Sequence, residues 1–153
     1  MNEPRDAGPQ DDPFALRRFV TAQADTYDQA LAELRRGQKR SHWMWFIFPQ
    51  IAGLGRSATA RHFAIKSSEE ARQYLLHPVL GPRLRECAQA VLAIEARSAA
   101  QIFGSPDDMK LHSSMTLFAH VAGSDPTFRR VLARYFNDEM DHATLRILEQ
   151  IRA

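Results

Sequence analysis

The chain has 153 residues, 44% of them hydrophobic and 25% charged, with a formal net charge of +2. These figures describe one soluble globular domain and exclude the long basic stripe of a nucleic-acid binder. The longest uninterrupted apolar run, residues 43–48, is far too short to cross a bilayer, and the single cysteine, Cys87, excludes an internal disulfide or a cysteine-rich metal site.

No basic segment followed by an apolar stretch opens the sequence, so no signal peptide is expected. The expected compartment is the cytoplasm. Residues 1–11 are polar and rich in Pro, Gly and Asp, which predicts a disordered tail before one helical domain over 12–153. Asp12 and Pro13 read as a cap and a first-turn proline, with Phe14 and Phe19 on one face of the helix they begin. Thr26 with Gln29 resembles a capping box. Ala30, Leu31 and Leu34 give the second helix its apolar side, and Gly37 stops it. Arg35, Arg36, Lys39 and Arg40 form the densest basic group and read as a solvated helix end.

The segment KRSHWMWFIFPQ, residues 39–50, holds both tryptophans, Trp43 and Trp45, beside Phe46 and Phe48. Six apolar residues do not separate a buried strand from a buried helix by periodicity. A strand needs a partner, and no other segment has a β-branched or alternating run. Residues 42–48 are therefore predicted as a short buried helix with Ser41 as its cap, ended before Pro49. A glycine-rich turn, IAGLGR, follows. Ser57 then caps a short helix over 58–65, and Ser67 with Glu70 makes a capping box for the next, through Leu76.

Pro78 and Pro82 open a helix to about Arg97 whose core face is Leu80, Leu84, Cys87, Ala88, Val91 and Leu92. Ser98 starts a short turn closed by Gly104. Ser105-Pro106-Asp107-Asp108 is an N-terminal signal for a helix to Ala122, with acidic residues in its first turn. Asp125-Pro126 starts another, with Phe128, Val131, Leu132, Tyr135 and Phe136 inward. Asp141 caps the last, which faces Leu145, Leu148 and Ile151 inward. The sum is an all-α bundle of about eight helices, several of them short.

Four segments, DPFALRRFVTAQ, YDQALAELRRGQKRSHWMWFIFPQIAGLG, HPVLGPRLREC and IFGSPDDMKLHSSMTLF, together resemble the bacterial family catalogued as domain of unknown function 1810, whose members are sometimes labelled calpastatin-like. The resemblance covers nearly the whole chain after residue 11. It implies a mainly helical domain and no particular activity. The calpastatin label finds no support, because such inhibitors are disordered, repeated chains. In outline, the Glu70-Ala71…Tyr74-Leu75 start, the Asp–Lys helix and the tryptophan-rich wall also resemble helical glycosidases acting on ADP-ribosyl compounds. Their motifs do not match residue by residue, so no catalytic residue carries over.

Three segments carry candidate chemistry. Trp43, Trp45, Phe46 and Phe48 either stack on a planar ligand or fill the core. Phe46 and Phe48 read as core, while both readings stay open for the tryptophans, flanked as they are by His42 and Gln50. The turn around Gly55, Arg56 and Ser57 reads either as an anion cradle at a helix start or as an ordinary capped loop. It lacks the lysine of a P-loop. In the third segment, Asp108 and Lys110 are the acid–base candidates, with Ser113 and Ser114 near Lys110 on the helix surface. Hydroxyls in mid-helix depart from local preference, a hint of a site.

Two readings follow. One is a pocket for a phosphorylated or nucleotide-like anion, with glycosidic hydrolysis the first reaction to test. The other is a non-catalytic protein-interaction module. No metal or cofactor is implied: His112 and His120 lie too far apart around their helix to share an ion, and Cys87 reads as an inert buried thiol. A membrane or nucleic-acid partner is not expected, and no oligomeric state is legible.

Overall fold

The computed structural model describes residues 12–152, with side chains to Ile151, so the tail expected over residues 1–11 lies outside the described residues. Among the described residues ten helices follow one another: α1 (Arg17–Ala24), α2 (Tyr27–Arg36), α3 (Met44–Ile47), α4 (Ala58–His62), α5 (Ser68–Leu76), α6 (Leu80–Ala93), α7 (Ala99–Phe103), α8 (Asp107–Val121), α9 (Thr127–Tyr135) and α10 (His142–Arg152). The fold is all-α. Among the described residues the β structure is a single isolated bridge between Ile51 and Ile65. None of their helices is long and apolar enough to cross a membrane.

α8 is the axis of the bundle. It packs against α5, α7, α9 and α10, while α6 packs against α2, α5 and α9. Its buried residues run consecutively from 113 to 118 with Leu111 before them, so it is enclosed on all sides rather than along one stripe. One contiguous core joins Phe19, Trp43, Phe48, Tyr74, Phe118 and Phe128.

Most helix starts and stops follow their local signals. Gly37 ends α2 in the left-handed conformation at φ 78°. Ser57 and Ser67 accept from Ala60 N and Glu70 N at 3.0 Å each. Ser98 and Gln101 complete a reciprocal capping box on α7. Elsewhere tertiary contacts override local pairing. Asp12 accepts from Leu16 N and Arg17 N, yet Ala15 turns through φ 54° first, so α1 begins five residues later than the Asp-Pro signal. Thr26 makes no side-chain cap, because Gln29 reaches Glu33 and Ser41 instead. The Glu70 carboxylate serves Lys66 N and Arg18 rather than its own cap. α6 stops at Ala93, short of Arg97. Ile151 is 46% exposed, so α10 turns Leu148 inward and Ile151 out.

Gly81 shows how closely α6 sits on the end of α5. A Cβ there would lie 2.1 Å from the Leu75 carbonyl oxygen, a backbone atom that cannot step aside. Gly81→Ala is expected to cost about 2–3 kcal/mol, read as a lower midpoint in urea denaturation with an unchanged slope.

Candidate functional site

The connection from α2 to α3 is built around one buried carboxylate, Glu33, 3% exposed. It accepts from Arg40 N at 2.8 Å, Ser41 N at 3.1 Å, Ser41 Oγ at 2.6 Å, the Trp43 indole Nε1 at 2.9 Å and Gln29 Nε2 at 3.1 Å. Burial alone raises a carboxyl pKa, but the hydrogen bonds from Ser41, Arg40 and Trp43 outweigh it and hold Glu33 down to about 2. Ser41 is therefore no helix cap. It belongs to this cage, and Trp43 takes the position before α3 with no side-chain cap.

Trp43 has no exposed surface and Phe48 has 1%. The pocket-wall reading of Trp43 is thus corrected: its indole N–H already has a buried acceptor and its ring is core. Trp45 differs, being only half-buried.

Lys39 also departs from the solvated end expected of it. Its side chain is 7% exposed and its Nζ sits 2.8 Å from Asp107 Oδ2, 2.6 Å from the Ser41 carbonyl oxygen and 5.0 Å from the Trp43 ring centroid. Its backbone N–H donates to Ile102 O at 2.7 Å. The other oxygen of Asp107 faces Lys110 Nζ at 3.5 Å, and that ammonium lies 5.4 Å from the Trp45 ring centroid. The two distinctive segments therefore meet: Lys39, Asp107, Lys110 and Trp45 form one chain of contacts. Two ammonium groups share one carboxylate, leaving one positive charge beside a half-buried indole.

The carboxylate facing Lys110 is thus Asp107. Asp108 accepts instead from Met109 N at 2.9 Å on its own helix. Sequence reasoning passed over Asp107, Lys39 and Glu33, although the i,i+3 spacing of Asp107 and Lys110 was a legible signal for that pair.

Trp45, Gln50 and Gly55 line one small cavity of about 10 Å³ with Ile51, Ala60, Phe63 and Ala64. It holds roughly one water. Gly55 packs against its own turn, since a Cβ there would sit 2.5 Å from Ala60 Cβ. Ser57 and Arg56 are exposed, with the Ser57 hydroxyl occupied as the α4 cap. A helix of five residues is a weak anion cradle. His42 is exposed, apart from these contacts.

The mid-helix hydroxyls have a structural use. Ser113 Oγ donates to Asp141 Oδ2 at 2.8 Å, and Thr116 Oγ1 accepts from Asp141 N at 2.8 Å, tying α8 to the start of α10. His112 stacks on Phe136 at 4.3 Å and reaches the Glu139 carbonyl oxygen at 2.8 Å. Ser114, one turn along α8 from Lys110, is fully buried and its Oγ has no hydrogen-bond partner among the described residues. Burial pushes the Cys87 thiol up to about 12, consistent with an unreactive side chain. Among the described residues, no three His, Cys, Asp or Glu side chains gather as metal ligands.

A larger groove, about 720 Å³, lies elsewhere, between the start of α1 and the end of α5. Phe14, Leu16, Val20, Leu76 and Pro78 make it mainly apolar, with His77 at its edge. His77 Nδ1 accepts from Val79 N and Leu80 N, and burial lowers its pKa.

Residues 13–148 match the family model described as "Protein of unknown function (DUF1810)". The chain is also similar to a solved structure described as the conserved hypothetical protein Rv1873 from Mycobacterium tuberculosis. The two share 51% sequence identity, with a TM-score of 0.89 over 90% of this chain and 99% of that one. No curated protein matches the sequence.

Proposed function

Because the chain belongs to the DUF1810 family, which carries no assigned activity, its own site has to supply the reading, and we propose that it binds a planar, negatively charged small molecule against Trp45 and Lys110. One observation carries this: Lys39 and Lys110 share the single carboxylate of Asp107, and the less tightly held ammonium, 3.5 Å from it, lies over a half-buried indole. An aromatic face beside a cation that shares its one counter-ion with a second lysine suits a ring bearing an anionic group, as in a nucleotide or a phosphorylated nucleoside sugar. Gln50 lines the small cavity beside Trp45 with Gly55 and adds an amide near that ring. Arg56 and Arg61, exposed beside Gly55 and Ala60, add positive charge along the approach.

Lys110 is the ligand-facing charge, because Lys39 is enclosed. A thermal-shift panel of nucleotides, ADP-ribose and sugar phosphates tests the reading. One class is expected to raise Tm by several degrees at saturating concentration. Lys110→Ala is expected to abolish that rise while moving the unliganded Tm little, since its ion pair is long and partly exposed. A silent panel, or a rise that persists in Lys110→Ala, counts against the site. Any compound that binds is then assayed for glycosidic cleavage.

A second reading, an interaction module without catalysis, is favoured by the apolar groove beside Leu76, which is 68% exposed. On that reading Leu76→Asp removes a protein partner in pull-down and leaves the small-molecule panel unchanged.

A further inference from the structure

The cavity beside Trp45 is too small for any ligand of the class just named, and the reason is the segment that covers it. Residues 52–64 leave the body of the protein after Ile51 and return at Ile65. Their ends are held side by side by the isolated parallel bridge, through Ala52 N to Ile65 O at 2.7 Å and Ile65 N to Gln50 O at 2.9 Å. Between these ends lies α4, which buries no residue and packs extensively against no other helix. Ala60 of α4 and Gly55 of the turn before it line the cavity of about 10 Å³ together with Trp45 and Gln50.

The two ends of this excursion are anchored differently. On the return side the Phe63 ring packs against Phe19 at 5.7 Å and Phe46 at 5.3 Å. The Arg18 guanidinium donates to His62 O at 2.7 Å and Ala64 O at 2.8 Å. On the outgoing side there is Gly53, at φ 107°, a conformation that side chains rarely adopt, with Ile147 Cδ1 3.3 Å from where a Cβ would be. Leu54 is half-buried and packs against the core, the apolar contact that opening would have to break on this side. The tip is folded on itself, through the Gly55–Ala60 contact and the Ser57 cap. It has the makings of a rigid flap on a glycine hinge.

We infer that residues 53–61 are a lid over Trp45 and Gln50, closed in this structure, which pivots at Gly53 and ahead of the Arg18-anchored His62 to open a cavity for the ligand. The inference rests on the reading of Trp45 as a ligand wall, and it supplies what that reading lacks: room. Lids of this kind open on microsecond to millisecond timescales and exclude water when shut. They belong to the least stable parts of a fold, with few buried apolar contacts.

Thiol labelling of the full chain in the absence of ligand tests the lid. Ala64, 9% exposed, lines the cavity at the anchored end. The natural thiol, Cys87, is fully buried and gives a slow background. Ala64→Cys is expected to label at least ~100-fold faster than Cys87, with a rate insensitive to low urea, because local opening exposes little surface. Adding Ser57→Ala, which unfastens α4, should accelerate it several-fold. Hydrogen exchange on the unsubstituted chain gives an independent readout: the Ala60 and Arg61 amides should exchange far faster than those of Ala52 and Ile65. Labelling no faster than Cys87, or equal protection of all four amides, overturns the lid whatever the ligand panel shows. A mobile lid with a silent panel instead discards Trp45 as a ligand wall and leaves the motion standing.

Discussion

Replacing Glu33 with alanine is expected to lower the unfolding free energy by about 3–4 kcal/mol at neutral pH. The substitution leaves the fully buried Trp43 indole N–H without its acceptor, and an orphaned buried donor costs about 1–3 kcal/mol. It also releases Arg40 N, Ser41 N and Ser41 Oγ, which regain water only in part. The effect has a pH signature. The folded-state value of about 2 lies below the ordinary 4.5. The carboxylate's contribution is therefore fully present above about pH 4.5 and is lost as pH falls towards 2. Between pH 5 and pH 2 the unsubstituted protein should lose about 3 kcal/mol more stability than Glu33→Gln, which has no such proton to take up. Urea midpoints measured at half-unit intervals across that range check both the size and the sign. Parallel curves for the two proteins would show that Glu33 is not the clamp described.

The second large effect is expected at Arg18. All five N–H donors of its guanidinium are used: to His62 O, to Phe14 O and Ala15 O, and to Ala64 O and Glu70 Oε2. Its side chain is 9% exposed and that of Glu70 3%. Removing one member of a buried pair leaves the other charge without compensation, which costs about 3–5 kcal/mol. Arg18→Met is expected to fall in that range. Arg18→Met combined with Glu70→Gln should recover part of the loss, because the uncompensated carboxylate is gone. Equal instability of the single and double variants would mean that the backbone bonds to residues 62 and 64, rather than the ion pair, carry the effect. Either result bears on the lid, since Arg18 is its fixed anchor.

The fold was largely legible because its signals are local. Apolar spacing along α6 and α9, the serine caps at Ser57 and Ser67 and the stop at Gly37 all act within one or two turns. One short helix, α3, in place of a strand followed from the lack of any partner segment. Local reasoning failed where a side chain is recruited across the fold. Gln29, Ser41 and Lys39 each have an ordinary local reading, as box, cap and solvated end, but Glu33 and Asp107 draw all three inward. Ser113 looked like site chemistry because it departs from helix propensity, and its explanation, a bond to Asp141, lies 28 residues away in sequence. Trp43 and Trp45 are two residues apart and of one type. What separates a core ring from a half-buried one is the tertiary placement of α3, which no spacing encodes.

That difference between the two tryptophans also gives the most direct test of the Trp45–Lys110 site. The chain has two tryptophans and so two indole N–H resonances in a nitrogen–proton NMR spectrum. Trp43's indole is bonded to Glu33 in the core, while Trp45 lies beneath the Lys110 ammonium. In a titration with nucleotides, ADP-ribose and sugar phosphates, at least one compound is expected to shift the Trp45 resonance progressively and leave Trp43 in place, and Lys110→Ala should remove the effect. A Trp45 resonance that stays still throughout the panel, or that moves equally in Lys110→Ala, would contradict a ligand site at this position.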